Sequence, residues 1–245
     1  MSQPTFTTPN PKALVRWNTS ANSGLTLVCI PWAGAGAAPF RPWGPVVGEA
    51  ATVYGVRLAA RENRRMEPPA KSLTQVIDET VQELLGLGVR RVALFGQCSG
   101  ALLAFELAKA LFKSCHDLEV THLIVASQLP PSVFTKVGVE SRQALTQYVP
   151  EDLREEPELV EVLLPIIAGD INLVADYSYS PDVSLDVPLT VIYGARDEVL
   201  DRAKVDGWRL ETNGPTNFYE IAGADHLLGG AAWLKLAKIV GATLT

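Results

Sequence analysis

Positive charge is scarce in this 245-residue chain: 21 Lys and Arg stand against 27 Asp and Glu, a formal net charge of −6. Nucleic-acid binders need a basic face, so that class is set aside. Cysteine and histidine are sparse as well, at three each: Cys29, Cys98 and Cys115, and His116, His122 and His226. An odd cysteine count with no export signal reads as free thiols, not as a disulfide framework. The spacings match no zinc pattern, and no metal is expected. No apolar run reaches the roughly 18 residues of a membrane span. Residues 1–19 mix Thr, Pro, Asn and Lys where a signal peptide would be apolar. These absences lead to the expectation of a cytoplasmic protein without membrane contact.

Hydrophobic residues are plentiful, at 47%, enough to build a substantial core. The length fits one α/β domain over 1–245. Apolar runs predict strands at 25–30, 52–58, 91–95, 122–126, 188–193 and 217–221. Helical spacing of Val76, Ile77, Val81, Leu84 and Leu85 predicts a helix over 72–87 with Ser72 as its cap, and further helices are expected over 101–112 and 231–239. This alternation implies a mostly parallel central sheet with helices on both faces. One stretch, about 132–187, holds no convincing strand. Its helical runs at 158–167 and 170–177 suit an insertion that sits at the sheet edge as a lid. The N-terminal dozen residues are expected to be loose.

The chemistry centres on Phe95-Gly-Gln-Cys-Ser-Gly100. It follows an apolar strand and opens an apolar helix, the setting of the nucleophile elbow of α/β-hydrolase folds. The central side chain of such a turn projects above the sheet at a helix N-terminus, where free N–H groups favour a thiolate. Glycines stand two residues to either side of Cys98, whereas Ser99 has Gln97 and Ala101 at those offsets. The geometry therefore selects Cys98 as the nucleophile, against the alternative of a small buried core cysteine.

In this fold the chain order is nucleophile, acid, histidine. Only His226 lies late enough; His116 and His122 are read as structural. The acid is sought in Val191-Ile-Tyr-Gly-Ala-Arg-Asp197, where Asp197 would hold the imidazole tautomer, with Glu198 and Asp201 as competitors. The oxyanion hole needs two backbone N–H groups. One is expected from Ser99 and the other from the loop Pro31-Trp-Ala-Gly-Ala-Gly36. That loop lacks the third glycine of a dinucleotide site.

These motifs together resemble those of the type II thioesterases, the stand-alone partners of nonribosomal peptide and polyketide synthases. Ile30-Pro-Trp-Ala-Gly-Ala-Gly-Ala37 with Phe40 and Trp43 looks like their F-P-Y-A-G-G…F…W opening. Arg61-Glu-Asn-Arg-Arg65 with Pro68 resembles G-R-x-x-R…P, and Leu164-Pro-Ile-Ile-Ala-Gly-Asp170 through Tyr177 resembles their lid pattern. Asp197 and His226 match the family's acid and histidine. The resemblance implies an α/β-hydrolase fold with a helical lid, and cleavage of acyl thioesters on the phosphopantetheine arm of acyl or peptidyl carrier proteins. It implies no cofactor of the enzyme's own, and by carry-over Ala33 and Ser99 as the oxyanion donors. The chain departs from the family at Gln97, Cys98 and Ser99, where His, Ser and Met are usual.

A cysteine nucleophile changes the energetics. Passing an acyl group from a pantetheine thiol to Cys98 exchanges one thioester for another and is nearly balanced, which suits onward transfer to a thiol or amine as well as hydrolysis. Hydrolysis, acyl or aminoacyl transfer, and an inactive carrier-binding module are the three readings carried forward. Trp32 and Gln97 are expected to contact substrate. The Arg61, Arg64 and Arg65 cluster and the lid are candidates for carrier docking, against a plain solvated loop. A monomer is expected.

Overall fold

The computed structural model describes residues 12–18, 24–115, 117–134 and 142–245. The strands are β1 (Leu14–Arg16), β2 (Leu25–Ile30), β3 (Thr52–Val56), β4 (Arg91–Gln97), β5 (Glu119–Ala126), β6 (Leu189–Gly194) and β7 (Thr216–Ile221). They form a seven-stranded sheet in the order β1-β3-β2-β4-β5-β6-β7. β1 pairs antiparallel with β3, and every other pair is parallel. Strands covered on both faces lose the polar alternation of a half-exposed sheet. Accordingly every residue of β2 is buried, as is all of β4 after Arg91.

The helices are α1 (Trp43–Val47), α2 (Leu73–Gly86), α3 (Ser99–Ser114), α4 (Arg142–Thr146), α5 (Pro157–Ala175), α6 (Arg202–Val205) and α7 (Ala231–Thr243). On one face, Val76, Ile77 and Leu84 of α2 and Leu103, Leu107 and Leu111 of α3 join Val28, Ile30 and Leu94 of the sheet. On the other, Trp43 and Val47 of α1 and Leu236, Ala237 and Val240 of α7 cover Leu27, Cys29, Val53 and Phe95. Ser72 caps α2, its hydroxyl accepting from the Gln75 N–H at 3.2 Å. The expected elements are all present and the fold is that of an α/β hydrolase.

Two features depart from expectation. The edge strand β1 was not foreseen, because three residues carry no readable period. It is held from outside: the Glu83 carboxylate on α2 accepts from the N–H groups of Lys12, Ala13 and Leu14 at 2.7–2.9 Å. The remainder of the N-terminal dozen lies outside the described residues. The second departure is α5, which runs unbroken through Pro165 where two helical runs were expected.

Between β5 and β6 the chain carries α4 and α5 with short 3-10 turns. Val160, Leu164, Ile167 and Ile171 recur at helical spacing on one face of α5. With Leu145, Tyr148 and Val149 they form a third apolar cluster that includes Ala33 and Cys98. The insertion thus packs over the carboxyl ends of the strands, where the nucleophile turn lies.

Candidate active site

β4 delivers the chain to Cys98 and α3 carries it away. Cys98 has φ 52° and ψ −124°, a conformation costly for a residue with a Cβ. Neighbours leave it no alternative. Its N–H donates to the Ala126 carbonyl at 2.9 Å. A Cβ on Gly96 would stand 2.1 Å from the Gly100 carbonyl oxygen, and one on Gly100 would stand 2.4 Å from that of Pro31. The two glycines are therefore required by contact, and they let α3 start directly against the first core loop. The Cys98 side chain is nearly buried, with the residue 5% exposed.

The acid and histidine come together across the ends of β6 and β7. His226 Nδ1 lies 3.0 Å from Asp197 Oδ1 and 2.9 Å from Oδ2. Asp197 Oδ1 also accepts from the N–H groups of Val199 and Leu200, at 3.0 and 3.1 Å. Its turn reaches the histidine loop because residue 194 lacks a side chain: a Cβ on Gly194 would lie 2.4 Å from the carbonyl oxygens of both Ala224 and Asp225. With Nδ1 turned to the carboxylate, Nε2 is left buried with no close hydrogen-bond partner, and it is the ring nitrogen free to serve the thiol. Burial disfavours the imidazolium, but the charge of Cys98 and the hydrogen bond to Asp197 outweigh it, and the His226 pKa is pushed up to about 10. Glu198 and Asp201, the alternative acids, do not take this place; Asp201 instead caps α6, accepting from the Ala203 N–H.

The first core loop, carrying Trp32 and Ala33, is clamped from the insertion. Asp170 of α5 accepts from the Gly34 N–H at 2.7 Å and takes a bidentate pair from Arg61 at 2.6 and 2.5 Å. Arg61 also donates to the Ala35 carbonyl at 2.8 Å. Gly34 sits at φ 89°, and a Cβ there would lie 2.5 Å from Ile167 Cγ1. One buried ion pair thus ties loop, insertion and the turn at residue 61 together. It places Ala33, which is 1% exposed, in the cluster around Cys98. Ser99 opens α3 beside the thiol.

Two of the three clustered arginines are corrected by this arrangement, whereas Arg65 stays exposed. Arg61 is spent on Asp170. Arg64, 5% exposed, is spent on Glu67, Glu79 and the Arg57 carbonyl. Neither is available for docking a carrier, because a buried guanidinium is paired where it lies.

Neither Gln97 nor Trp32 is among the residues lining the small cavity at the thiol. The Gln97 side chain is fully buried and donates from Nε2 to the Leu227 carbonyl at 2.6 Å, next to His226. Trp32 lines an open groove of about 1010 Å³ between residues 150–155 and the histidine loop, its ring 5.5 Å from that of Trp233. The cavity at the thiol is separate and small, about 140 Å³. Cys98, Ser99, Ser127, Tyr148, Ile171 and His226 are among the residues lining it. Tyr148 and Ser127 carried no sequence signal. Tyr148 lies in the insertion, with its ring edge-on to His226 at a centroid distance of 5.7 Å. Burial, then the charges of Cys98 and Asp197, raise its pKa, so it stays a neutral phenol.

His122 sits in β5 with Nε2 2.9 Å from Thr190 Oγ1, and burial lowers its pKa. His116 lies outside the described residues. Among the described residues no group of three or more His, Cys, Asp or Glu is placed to hold a metal ion. None of their helices is long and apolar enough to cross a membrane.

Known proteins resemble this chain over most of its length. A family model described as a thioesterase domain matches residues 25–236. The AMB antimetabolite synthetase AmbE of Pseudomonas aeruginosa is 33% identical over 199 residues; these are 78% of this chain and only 9% of that much longer protein. The gramicidin S biosynthesis protein GrsT of Aneurinibacillus migulanus is 28% identical, over 85% of this chain and 84% of its own. Among solved structures, the type II thioesterase BorB from the borrelidin biosynthetic cluster is 25% identical with a TM-score of 0.82, covering 95% of this chain and 98% of its own.

Proposed function

The chain belongs to the thioesterase-domain family, and from that premise we propose that it hydrolyses acyl thioesters on the phosphopantetheine arm of a carrier protein in natural-product biosynthesis, through an acyl group held on Cys98. The observation that carries this reading is that His226, with Nδ1 fixed by Asp197, lines the same small cavity as Cys98. GrsT is a gramicidin S biosynthesis protein and BorB a type II thioesterase of the borrelidin cluster, which supports thioester cleavage in a natural-product pathway.

In this mechanism a Cys98 thiolate faces a protonated His226. The sulfur attacks the thioester carbonyl and forms a new C–S bond. The carbonyl oxygen takes up negative charge toward the N–H groups of Ala33 and Ser99, donors that need no reorganisation. On collapse the C–S bond to pantetheine breaks, and the departing sulfur takes the proton from Nε2. A water oxygen then bonds the acyl carbon as His226 accepts its proton. The second collapse returns the electron pair to the Cys98 sulfur. The carboxylic acid leaves, and the thiolate and imidazolium are restored.

One observation favours a second reading. With sulfur at the nucleophile position, thioester exchange is close to balanced, and an incoming carrier thiol could take the place of water. The experiment is to incubate the protein with an acyl-loaded carrier protein and follow its intact mass. A mass increment on Cys98, lost in Cys98→Ala, supports covalent catalysis; absence of the increment together with full activity of Cys98→Ala would falsify it. Adding an unloaded second carrier separates the two outcomes: free acid forming faster than the newly loaded carrier supports hydrolysis, and the reverse order supports transfer. A protein that binds the carrier, gains no mass and releases nothing is the inactive docking module.

A further inference from the structure

The wall of the small cavity holds a polar group that the mechanism does not use. Ser127 follows β5 directly, at the strand end against which the nucleophile turn is pinned by the bond from Cys98 N–H to Ala126. Its own N–H is anchored to the Ile192 carbonyl at 2.9 Å, and its backbone is held at φ 50°, in the left-handed region. A non-glycine residue there is strained. The residue is 1% exposed, and its hydroxyl oxygen is buried with no hydrogen-bond partner. Buried polar groups are nearly always paired, so an orphan on the wall of a reactive cavity calls for a ligand.

The cavity restricts what that ligand can be. Its volume of about 140 Å³, against about 1010 Å³ for the neighbouring groove, suits a short acyl chain. Much of the described lining is apolar, Phe134, Val174, Val199 and Leu200 among it, and no carboxylate lines it among the described residues. A cationic substituent entering this space would lose its water without gaining a counter-charge. A neutral hydroxyl or amine would not, and the serine hydroxyl can both donate to it and accept from it.

We propose that Ser127 is a specificity residue that recognises an uncharged hydroxyl or amino group next to the carbonyl of a short acyl chain carried on Cys98. The inference rests on the acyl-enzyme reading above. A site that pairs a buried group with substrate rejects the analogue lacking that group, because its own polar atom is then left unpaired. An α-amino group qualifies when unprotonated, and such groups titrate at about 7.7–8.0.

The test uses three near-isosteric thioesters of N-acetylcysteamine, propionyl, lactyl and alanyl, with the rate of Cys98 loading followed by intact mass. In the wild type, lactyl is expected to load at least about ten-fold faster than propionyl, by the selectivity argument above. In Ser127→Ala that ratio should collapse toward one. The alanyl-to-lactyl ratio should rise with pH as the amine loses its proton. Equal loading of lactyl and propionyl by the wild type overturns the proposal, whatever the variant does. So does a preference that survives in Ser127→Ala, or an alanyl-to-lactyl ratio that falls with pH. If Ser127→Ala does not fold, Ser127→Cys, with its weaker donor, should show an intermediate ratio, and an unchanged one counts against the proposal. Failure of all three thioesters to load sinks the acyl-enzyme reading itself; loading without discrimination sinks only the role of Ser127.

Discussion

His226 presents Nδ1 to both carboxylate oxygens of Asp197, at 3.0 and 2.9 Å, from a loop 29 residues further along the chain. The carboxylate is itself held by two backbone N–H groups at 3.0 and 3.1 Å. The ring is thereby set in one orientation before substrate arrives, with Nε2 as the nitrogen turned away from the acid.

Asp197→Asn should preserve the fold, since an amide oxygen can still accept from Val199 and Leu200. It should fail to stabilise the catalytic tautomer, and kcat for thioester hydrolysis is expected to fall by about 10²–10⁴. A loss smaller than about ten-fold, with an unchanged circular dichroism spectrum, would remove Asp197 from its proposed role.

The raised pKa of His226 predicts a ring that stays protonated through neutral pH. Histidine side-chain NMR should find imidazolium up to about pH 10 in the wild type and a clearly lower midpoint in Cys98→Ala, where the largest charge favouring protonation is gone. The sign for stability follows. A pKa raised on folding gives stabilisation that is complete below the unfolded value of about 6.5 and is lost as pH climbs to the folded value. An NMR midpoint left unchanged in Cys98→Ala would count against the pairing.

The Arg61–Asp170 pair is nearly buried, with side chains 9% and 7% exposed. Asp170→Asn leaves a guanidinium buried without its counter-ion, and a loss of about 3–5 kcal/mol is expected in urea unfolding. The double variant Arg61→Met, Asp170→Leu removes the stranded charge and should recover much of that loss. Its activity should stay low, because Gly34 N–H still lacks its acceptor and the loop bearing Ala33 is freed. Recovery of full activity by the double variant would show that the clamp does not position the oxyanion donors.

Gln97→Leu removes the donor to the Leu227 carbonyl. An unpaired buried acceptor costs about 1–3 kcal/mol, but the Gln97 Oε1 is already buried without a partner and leaves with the side chain. The net change in stability should be about 1 kcal/mol. Activity should fall by more than that implies, since the lost bond holds the residue next to His226. Comparing kcat with the urea midpoint settles it: an unaffected kcat makes Gln97 a packing residue only.

Gly194→Ala puts a methyl group 2.4 Å from two backbone oxygens of the histidine loop. These are backbone atoms and cannot swing aside, so the Asp197 turn and the loop must separate. The variant is expected to be both less stable and nearly inactive, and wild-type behaviour in thermal unfolding and turnover would contradict the contact.

Much of the scaffold could be read from period and punctuation alone. The long elements announced themselves through strand runs such as 91–95 and the spaced apolar residues of 72–87. β1 did not, because its three residues are a strand only by virtue of Glu83 and β3. Within the site, Cys98, Asp197 and His226 were legible because each sits in a short glycine-bearing turn at a strand end. Tyr148 and Ser127 were not. One lies between α4 and α5, where the insertion has no readable period, and the other is an ordinary serine until the strand beside it is known. Arg61 and Arg64 misled in the opposite direction: clustered charge in a loop looks solvated, yet Arg64 is buried and Arg61 nearly so, against carboxylates that lie 3 to 109 residues away.

By itself the sequence determined that Cys98 takes a strained turn between a buried strand and a helix, since local sterics allow a backbone that tight only with glycine at 96 and 100. It equally determined the order in which Cys98, Asp197 and His226 leave the sheet. The tertiary structure alone decided how large a space adjoins the thiol, which polar group on its wall lacks a partner, and which charges are spent on holding the loops. Those properties arise from contacts between residues far apart in the chain, and burial, unlike local conformation, is a property of the whole assembly of elements.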